Sequence, residues 1–578
     1  MKANLFTSLL ISITCILFCI SCTTSDKQSG NVNISDFGLT PETGEDASRV
    51  VRKALEYCKD NGSNRLTFEP GRYDFYPDYT YETFMFISNN HDGLKGVAFL
   101  LRDMEDFEIY APGAVFVFHG YTMPFLIENC KNIKLTGFSI DIDRTFQSEG
   151  VILQAGRDQL EVYFPEEYPF SVENERLKFY DNTGKIEFPF GNLLEFDPNR
   201  KETAYMVRDY YIGNNIKTEQ TSSRTVKLHI PGIQGEKGNI MVFAPNHRLT
   251  PNIVASYSND VEISDVTMHN SGGMGFIAQF CKDITIHGMV VTPSEGKVVS
   301  CTADATHFSN CKGTILIEDC LFENQMDDAT NVHGIYMRIE EILSPNKLIV
   351  RLVHHEQLGM QLFKKGENIE FVDAETAITY GHAKMSHVNR LNKNLAEITF
   401  SQNIPGEVKL KDVIGTTEFP EIILRNSIFR NNRARGVLLG SRESILVEGC
   451  TFHIPGSAIM TGGDLQYWFE QGGVHNMTIR NNVFDSCMFG NWGSAVITIG
   501  AGKSPEPENA PRFNRNLIIE NNEFYIVDPR LVNATSVDGL IFKDNKIVQS
   551  EEYPLSNANM EPFTIERSIN VEIDNKIN

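Results

Sequence analysis

Two stretches, CKDITIHGMVV from Cys281 and CKGTILIEDCLF from Cys311, decide the fold. Each reads as a short strand of alternating β-branched residues, a sharp bend at Gly or Asp, and the start of a second strand. The same string returns as NCKNIKLTGFSID at Asn129, NDVEISDVTM at Asn259, FPEIILRNSIF at Phe419, ESILVEGCTF at Glu443, HNMTIRNNVF at His475 and NRNLIIENNEF at Asn514. Asn, Asp and Gly at the bend accept left-handed backbone angles that a β-branched residue resists.

The spacing of these copies is regular. With the aromatic or aliphatic residue of the second strand as a ruler, Phe429 to Phe452 and Phe524 to Ile547 are both 23 residues, and Val266 to Val290 is 24. Val290 to Phe322 and Phe452 to Phe484 are each 32, one turn plus an extruded loop of about nine. A fixed period in the low twenties, with no long amphipathic helix between the strands, identifies a solenoid. The expected fold is all-β: a right-handed parallel β-helix whose turns stack about 4.8 Å apart. Equivalent positions in successive turns then form ladders, and a few side chains can be held rigidly over a groove.

Around that core the chain divides into segments. Residues 1–22 combine Lys2, a short apolar run (LLISITCILFCI) and Ser21-Cys22 before a polar tract, which is the pattern of a secretory signal with a lipoprotein-like processing site at Cys22, although Cys19 stands where Leu is usual. The expected product is exported, in the periplasm or as an outer-membrane lipoprotein, with membrane contact only through that lipid. Residues 23–144 hold the cap and first turns. Val50, Val51, Ala54, Leu55 and Cys58 fall at helical spacing across 45–59, and Asn61-Gly62 ends that helix; such a helix covers the open strand edges of a solenoid end. The repeat vanishes over 145–250 and again over 337–416, where longer alternating strands (VILQAG, QLEVYF, TVKLHI; KLIVRLV, ENIEFVD, LAEITFS) predict two small antiparallel β-barrel-like insertions. Coil resumes at 251–336 and 417–578.

The composition limits the partners. With 52 basic and 75 acidic residues the chain carries a net charge of −23, which repels nucleic acid and polyanionic polysaccharides. Of 11 cysteines, Cys15, Cys19 and Cys22 lie in the signal region, and Cys130, Cys281 and Cys311 occupy one place in the repeat, as stacked buried residues would. Their spacing fits no zinc site.

The chemistry centres on CTADATHF from Cys301 and NQMDDATNVHG from Asn324. Asp304 precedes Asp327 by 23 residues and Asp328 by 24, so aspartates meet on adjacent rungs. Carboxyls held that close raise one another's proton affinity and yield one acid and one base, the pair that glycoside hydrolysis needs. An Asp-Asp pair alone is more often a turn cap or a calcium ligand than catalytic, and the phased third Asp strengthens the catalytic reading. His307, Asn331 and His333 are candidates for binding sugar hydroxyls, with ladder or turn positions as the plainer reading. Arg435, Trp468, Glu470 and Trp492 lie in loops just after repeat strands, and the two Trp offer faces on which a sugar can stack.

At these residues the chain resembles glycoside hydrolase family 110, exported bacterial α-1,3-galactosidases related to the blood-group-B-cleaving enzymes. The resemblance runs from DFGLTPETGEDASRVVRKAL through the coil and both insertions to ADATHF and MDDATNVHG. It implies an exo-acting, inverting hydrolysis that releases non-reducing α-1,3-linked galactose, with no metal and no other cofactor, and with Asp304, Asp327 and Asp328 as the catalytic triplet. Which Asp is the acid stays open. Rival readings are a polygalacturonase-like hydrolase, which expects an Arg-x-Lys site that does not follow the aspartates here, a polysaccharide lyase acting on uronates, and a non-catalytic glycan-binding adhesin.

Overall fold

The computed structural model describes residues 30–212 and 216–574; the signal segment and Cys22 lie outside them. Three sheets of 13, 11 and 13 strands run along the chain, pairing almost throughout in parallel, and form the faces of the β-helix. Between strands of one turn the chain bends where the sequence places Gly, Asp or Asn. Gly137, Asp265, Gly288, Asp319, Asn426, Gly449, Asn481, Asn521 and Asp544 all adopt left-handed φ values between 51° and 84°. Inside, Phe322, Phe429, Phe452, Phe484 and Phe524 stack with ring centroids 4.6 to 5.7 Å apart. Each such buried ring contributes about 1.5–3 kcal/mol.

The register departs from the sequence ruler at one place. Val290 pairs with Thr267 rather than Val266, and Phe322 with Val291 rather than Val290. A slip of one residue would turn each side chain to the opposite face, so the stack that continues Phe322 runs through Val291 and Met268.

The helix α1 (Ser48–Asn61) closes the N-terminal end, burying Val51, Ala54, Leu55 and Cys58, and stops at Gly62 in the left-handed conformation. The thiols of Cys130, Cys281, Cys311 and the other described cysteines are buried and unpaired. Both insertions are antiparallel. The second closes into a six-stranded barrel from Met337–Ser344 to Val413–Thr416. The first is an eight-stranded sheet whose ladder stays open among the described residues, ending in short strands at Glu202–Thr203 and Lys217–Gln220. A three-stranded sheet folds onto it through contacts of Phe179 with Phe164 and Phe243, at 4.9 and 5.5 Å.

Four parallel strands of the third face position the candidate site: β1 (Phe276–Gln279), β2 (Thr306–Ser309), β3 (Thr330–Ile335) and β4 (Val437–Leu439). Phe276 pairs with Thr306, Thr306 with Thr330, and Thr330 with Val437.

Candidate active site

Two residues before β2, β3 and β4, this register lines up Asp304, Asp328 and Arg435, one per rung. The backbone ties them there: Ala305 N–H donates to the Asp328 carbonyl at 3.0 Å and Ala329 N–H to the Gly436 carbonyl at 2.7 Å. Asp327, one residue earlier, diverges. Its backbone carbonyl accepts from Asn432 Nδ2 at 2.9 Å, and its side chain turns into the groove, 15 % exposed against 3 % for Asp304 and 1 % for Asp328. One oxygen from each of the three carboxyls lies within 4.8 Å of the others.

Three guanidiniums face this cluster. Arg435 grips Asp328 with two hydrogen bonds, Nε to Oδ1 at 2.8 Å and Nη2 to Oδ2 at 3.0 Å. Arg248 Nη2 donates to Asp327 Oδ2 at 2.8 Å, while Arg433 and Arg435 approach Asp327 Oδ1 only to 3.5 Å. They supply the positive charge that three close carboxyls would otherwise draw from a cation.

Protonation follows from these surroundings. Burial first, then the neighbouring Asp327 charge, pushes the Asp304 carboxyl well above the usual carboxylate range. Burial alone would raise Asp327 too, but Arg248, Arg435 and Arg433 outweigh it and hold the group below its ordinary value. Burial also raises Asp328, against the pull of Arg435. The bidentate ion pair requires an ionised partner, so of the two raised groups Asp304 is the better home for a proton.

The two tryptophans stand on either side. Trp468 packs against His354 of the second insertion at 4.1 Å between ring centroids, with the Arg248 guanidinium 5.7 Å from its ring. Trp492 donates from Nε1 to Asp209 of the first insertion at 3.2 Å, and Asp209 binds Arg433 through both oxygens at 2.7 and 2.8 Å. Tyr467 and Tyr211 remain largely exposed at the rim, at 61 % and 70 %. Both insertions therefore contribute to the walls of the groove.

His307 and His333, expected from the sequence as sugar-binding groups, lie beneath the floor instead. His307 Nδ1 is 2.8 Å from Asp304 Oδ2, its Nε2 is 2.9 Å from His333 Nε2, and His333 Nδ1 is 2.7 Å from the Gly334 carbonyl. With both nitrogens of each ring engaged inside the protein, neither is free for a hydroxyl; the sugar-binding expectation is corrected for these two. Glu470 is buried too, its Oε1 accepting from Asn89 Nδ2 at 2.7 Å and lying 3.5 Å from His333 Nε2. Asn331 sits one rung from His307 with a buried Oδ1 that has no hydrogen-bond partner among the described residues, so it retains hydrogen-bonding capacity.

Arg248, Arg433, His354, Asp209 and Asn89 went unread in the sequence. Arg433 stood two residues from Arg435 in NNRARG, a signal that was there to find. Arg248 lies where the first insertion returns to the coil, outside any repeat phase.

The chain matches known proteins along nearly its whole length. Residues 148–239 match the GLAA-B beta-barrel domain I model and residues 347–414 the GLAA-B beta-barrel domain II model. The chain is 34 % identical to Alpha-1,3-galactosidase A of Shewanella woodyi, covering 97 % of this chain and 93 % of the relative. It is 30 % identical to Alpha-1,3-galactosidase B of Bacteroides thetaiotaomicron over 97 % and 93 %, and 31 % identical to Alpha-1,3-galactosidase B of Akkermansia muciniphila over 94 % and 69 %. With its β-helix and two inserted β domains, the chain belongs to this glycoside hydrolase family, family 110.

Proposed function

We propose that the protein is an exo-acting glycoside hydrolase that releases terminal α-1,3-linked galactose, from blood-group-B-type and linear α-1,3-galactosyl glycans, by a single displacement with inversion. The observation that carries the reading is the pairing of a buried Asp304, biased toward its protonated form, with an ionised and groove-facing Asp327. The names of the relatives supply the substrate class.

In this mechanism Asp304 is the general acid. It gives its proton to the glycosidic oxygen as the bond to the anomeric carbon breaks. Asp327 is the general base and takes a proton from the attacking water, because its Oδ1 has only long contacts to Arg433 and Arg435. Asp328 is held by both of its oxygens to Arg435 and fixes that arginine beside the sugar. Arg248, Arg433 and Arg435 keep the base ionised at a weakly acidic pH, while Trp468 and Trp492 offer stacking faces for the apolar side of galactose. Asn331 is a candidate for a hydroxyl.

One observation favours a second reading. Carboxyls about 5–5.5 Å apart are associated with retention, and a water-admitting inverting pair with roughly 6.5–9.5 Å. The oxygens here approach within 4.8 Å, which suits direct attack by Asp327 on the sugar. The test is incubation with linear α-1,3-digalactoside and with blood-group-B trisaccharide, following released galactose and its first anomer by NMR. β-Galactose first supports inversion, α-galactose first supports the second reading, and no galactose at all overturns both. Export with lipidation at Cys22 belongs to the same proposal; mass spectrometry of the mature N-terminus from cells tests it.

A further inference from the structure

The buried histidines have a role that hydrogen-bond direction alone makes explicit. The Gly334 carbonyl only accepts, so the proton in the 2.7 Å contact sits on His333 Nδ1. A neutral His333 then presents a bare Nε2, and the 2.9 Å contact takes its proton from His307 Nε2. A neutral His307 in turn presents a bare Nδ1 to Asp304 Oδ2 at 2.8 Å, where only Asp304 can provide the proton. Three contacts require three protons, one more than two neutral imidazoles carry. The unit of Asp304, His307 and His333 is therefore neutral overall, and burial of both rings favours placing the extra proton on the carboxyl rather than on an imidazole.

We infer that His307 and His333 form a tautomeric lock, positioning residues that keep Asp304 loaded with its proton. The inference rests on the proposed role of Asp304 as acid and adds what holds it in that state. Once Asp304 has given its proton to the leaving oxygen, its Oδ2 faces an imidazole lone pair, and the repulsion drives uptake of a proton from water. The groups around the pair are Asp304 ahead of β2, Arg248 from the end of the first insertion, Asp327 ahead of β3, and Glu470 with Asn89 behind His333. Burial, then His333, holds the His307 imidazole well below its ordinary value, consistent with a neutral His307.

The two histidines differ in what their removal does. His333→Leu frees His307 to take the Nδ1–H tautomer, which donates to Asp304 and stabilises its anion. His307→Leu removes the donor as well as the acceptor and leaves the carboxyl in an apolar setting. On α-1,3-digalactoside the basic limb of the pH profile of kcat/KM is expected to move down by about one unit or more in His333→Leu, a tenfold loss of the protonated form, and to stay or move up in His307→Leu. On an aryl α-galactoside whose leaving group needs no protonation, His333→Leu is expected to lose less than about threefold. Limbs moving together in both variants, or equal losses on both substrates, would overturn the lock. Infrared titration of the Asp304 carboxyl in the two variants reads the same opposed shifts without any substrate, so this inference and the galactosidase reading fail separately.

Discussion

Replacing Asp304 by Asn separates the acid's chemistry from its structural part. The side chain is buried and, among the described residues, has one hydrogen-bond partner, His307 Nδ1 at 2.8 Å, which accepts in the tautomer inferred above. An Asn amide donates as a protonated carboxyl does, so the contact survives and stability is expected to change by about 1 kcal/mol or less. The rate is another matter: a positioned general acid is worth about 10²–10⁴-fold, and kcat on α-1,3-digalactoside is expected to fall by that factor. Asp327→Asn is the comparison that differs in stability, because it leaves Arg248 at 2.8 Å and two further guanidiniums at 3.5 Å without their carboxylate. Breaking a buried ion pair from one side costs about 3–5 kcal/mol. Urea unfolding midpoints of the three proteins, alongside kcat, make the comparison. If Asp304→Asn destabilises as much as Asp327→Asn, or slows the disaccharide less than tenfold, Asp304 is not a neutral acid.

Three other outcomes follow from the same structure. The pH profile of kcat/KM is expected to be bell-shaped: Asp304, raised by burial, loses its proton only above the ordinary carboxylate range, and Asp327, held down by the arginines, gains one only below it. The stability terms run the same way, since the Asp327 contribution is present above its unfolded value and disappears as pH falls through the lowered one, whereas that of Asp304 is full at low pH and disappears as pH rises through the raised one. Trp468→Ala and Trp492→Ala are each expected to raise KM about three- to tenfold, the equivalent of about 0.5–1.5 kcal/mol of lost aromatic contact, read in initial-rate kinetics on the disaccharide. Phe452→Ala, within the inner stack and on the 11-stranded face rather than the face that carries the site, is expected to cost about 3–5 kcal/mol in a urea melt and leave KM unchanged.

The solenoid was legible because its physics is local. Each bend needs a residue that tolerates positive φ, and Asp265, Gly288, Asp319 and their counterparts announce it every turn. Phasing of Asp304 against Asp327 and Asp328 was legible for the same reason, since one rung is one period. The register itself was less so: Val266 and Thr267 are both β-branched and suit either face, and only the inter-turn pairing selects Thr267 opposite Val290. What the repeat cannot encode is contact between segments far apart in the chain. Arg248 reaches Asp327 from the end of an insertion 79 residues away, and Glu470 meets Asn89 across 381. The fate of His307 and His333 was hidden differently. A histidine in THF or NVHG reads the same whether it faces a sugar or a buried carboxyl, and the answer lies in the pairing of His307 with His333 through their Nε2 atoms.

The account stands on Asp304 carrying a proton at neutral pH while Asp327 does not. An infrared difference spectrum at pH 7 between the wild-type protein and Asp304→Asn reads this directly. The protonated-carboxyl C=O band is expected to disappear in the variant with the carboxylate bands unchanged. Loss of carboxylate intensity instead would mean that Asp304 is ionised, and the assignment of acid and base would be wrong.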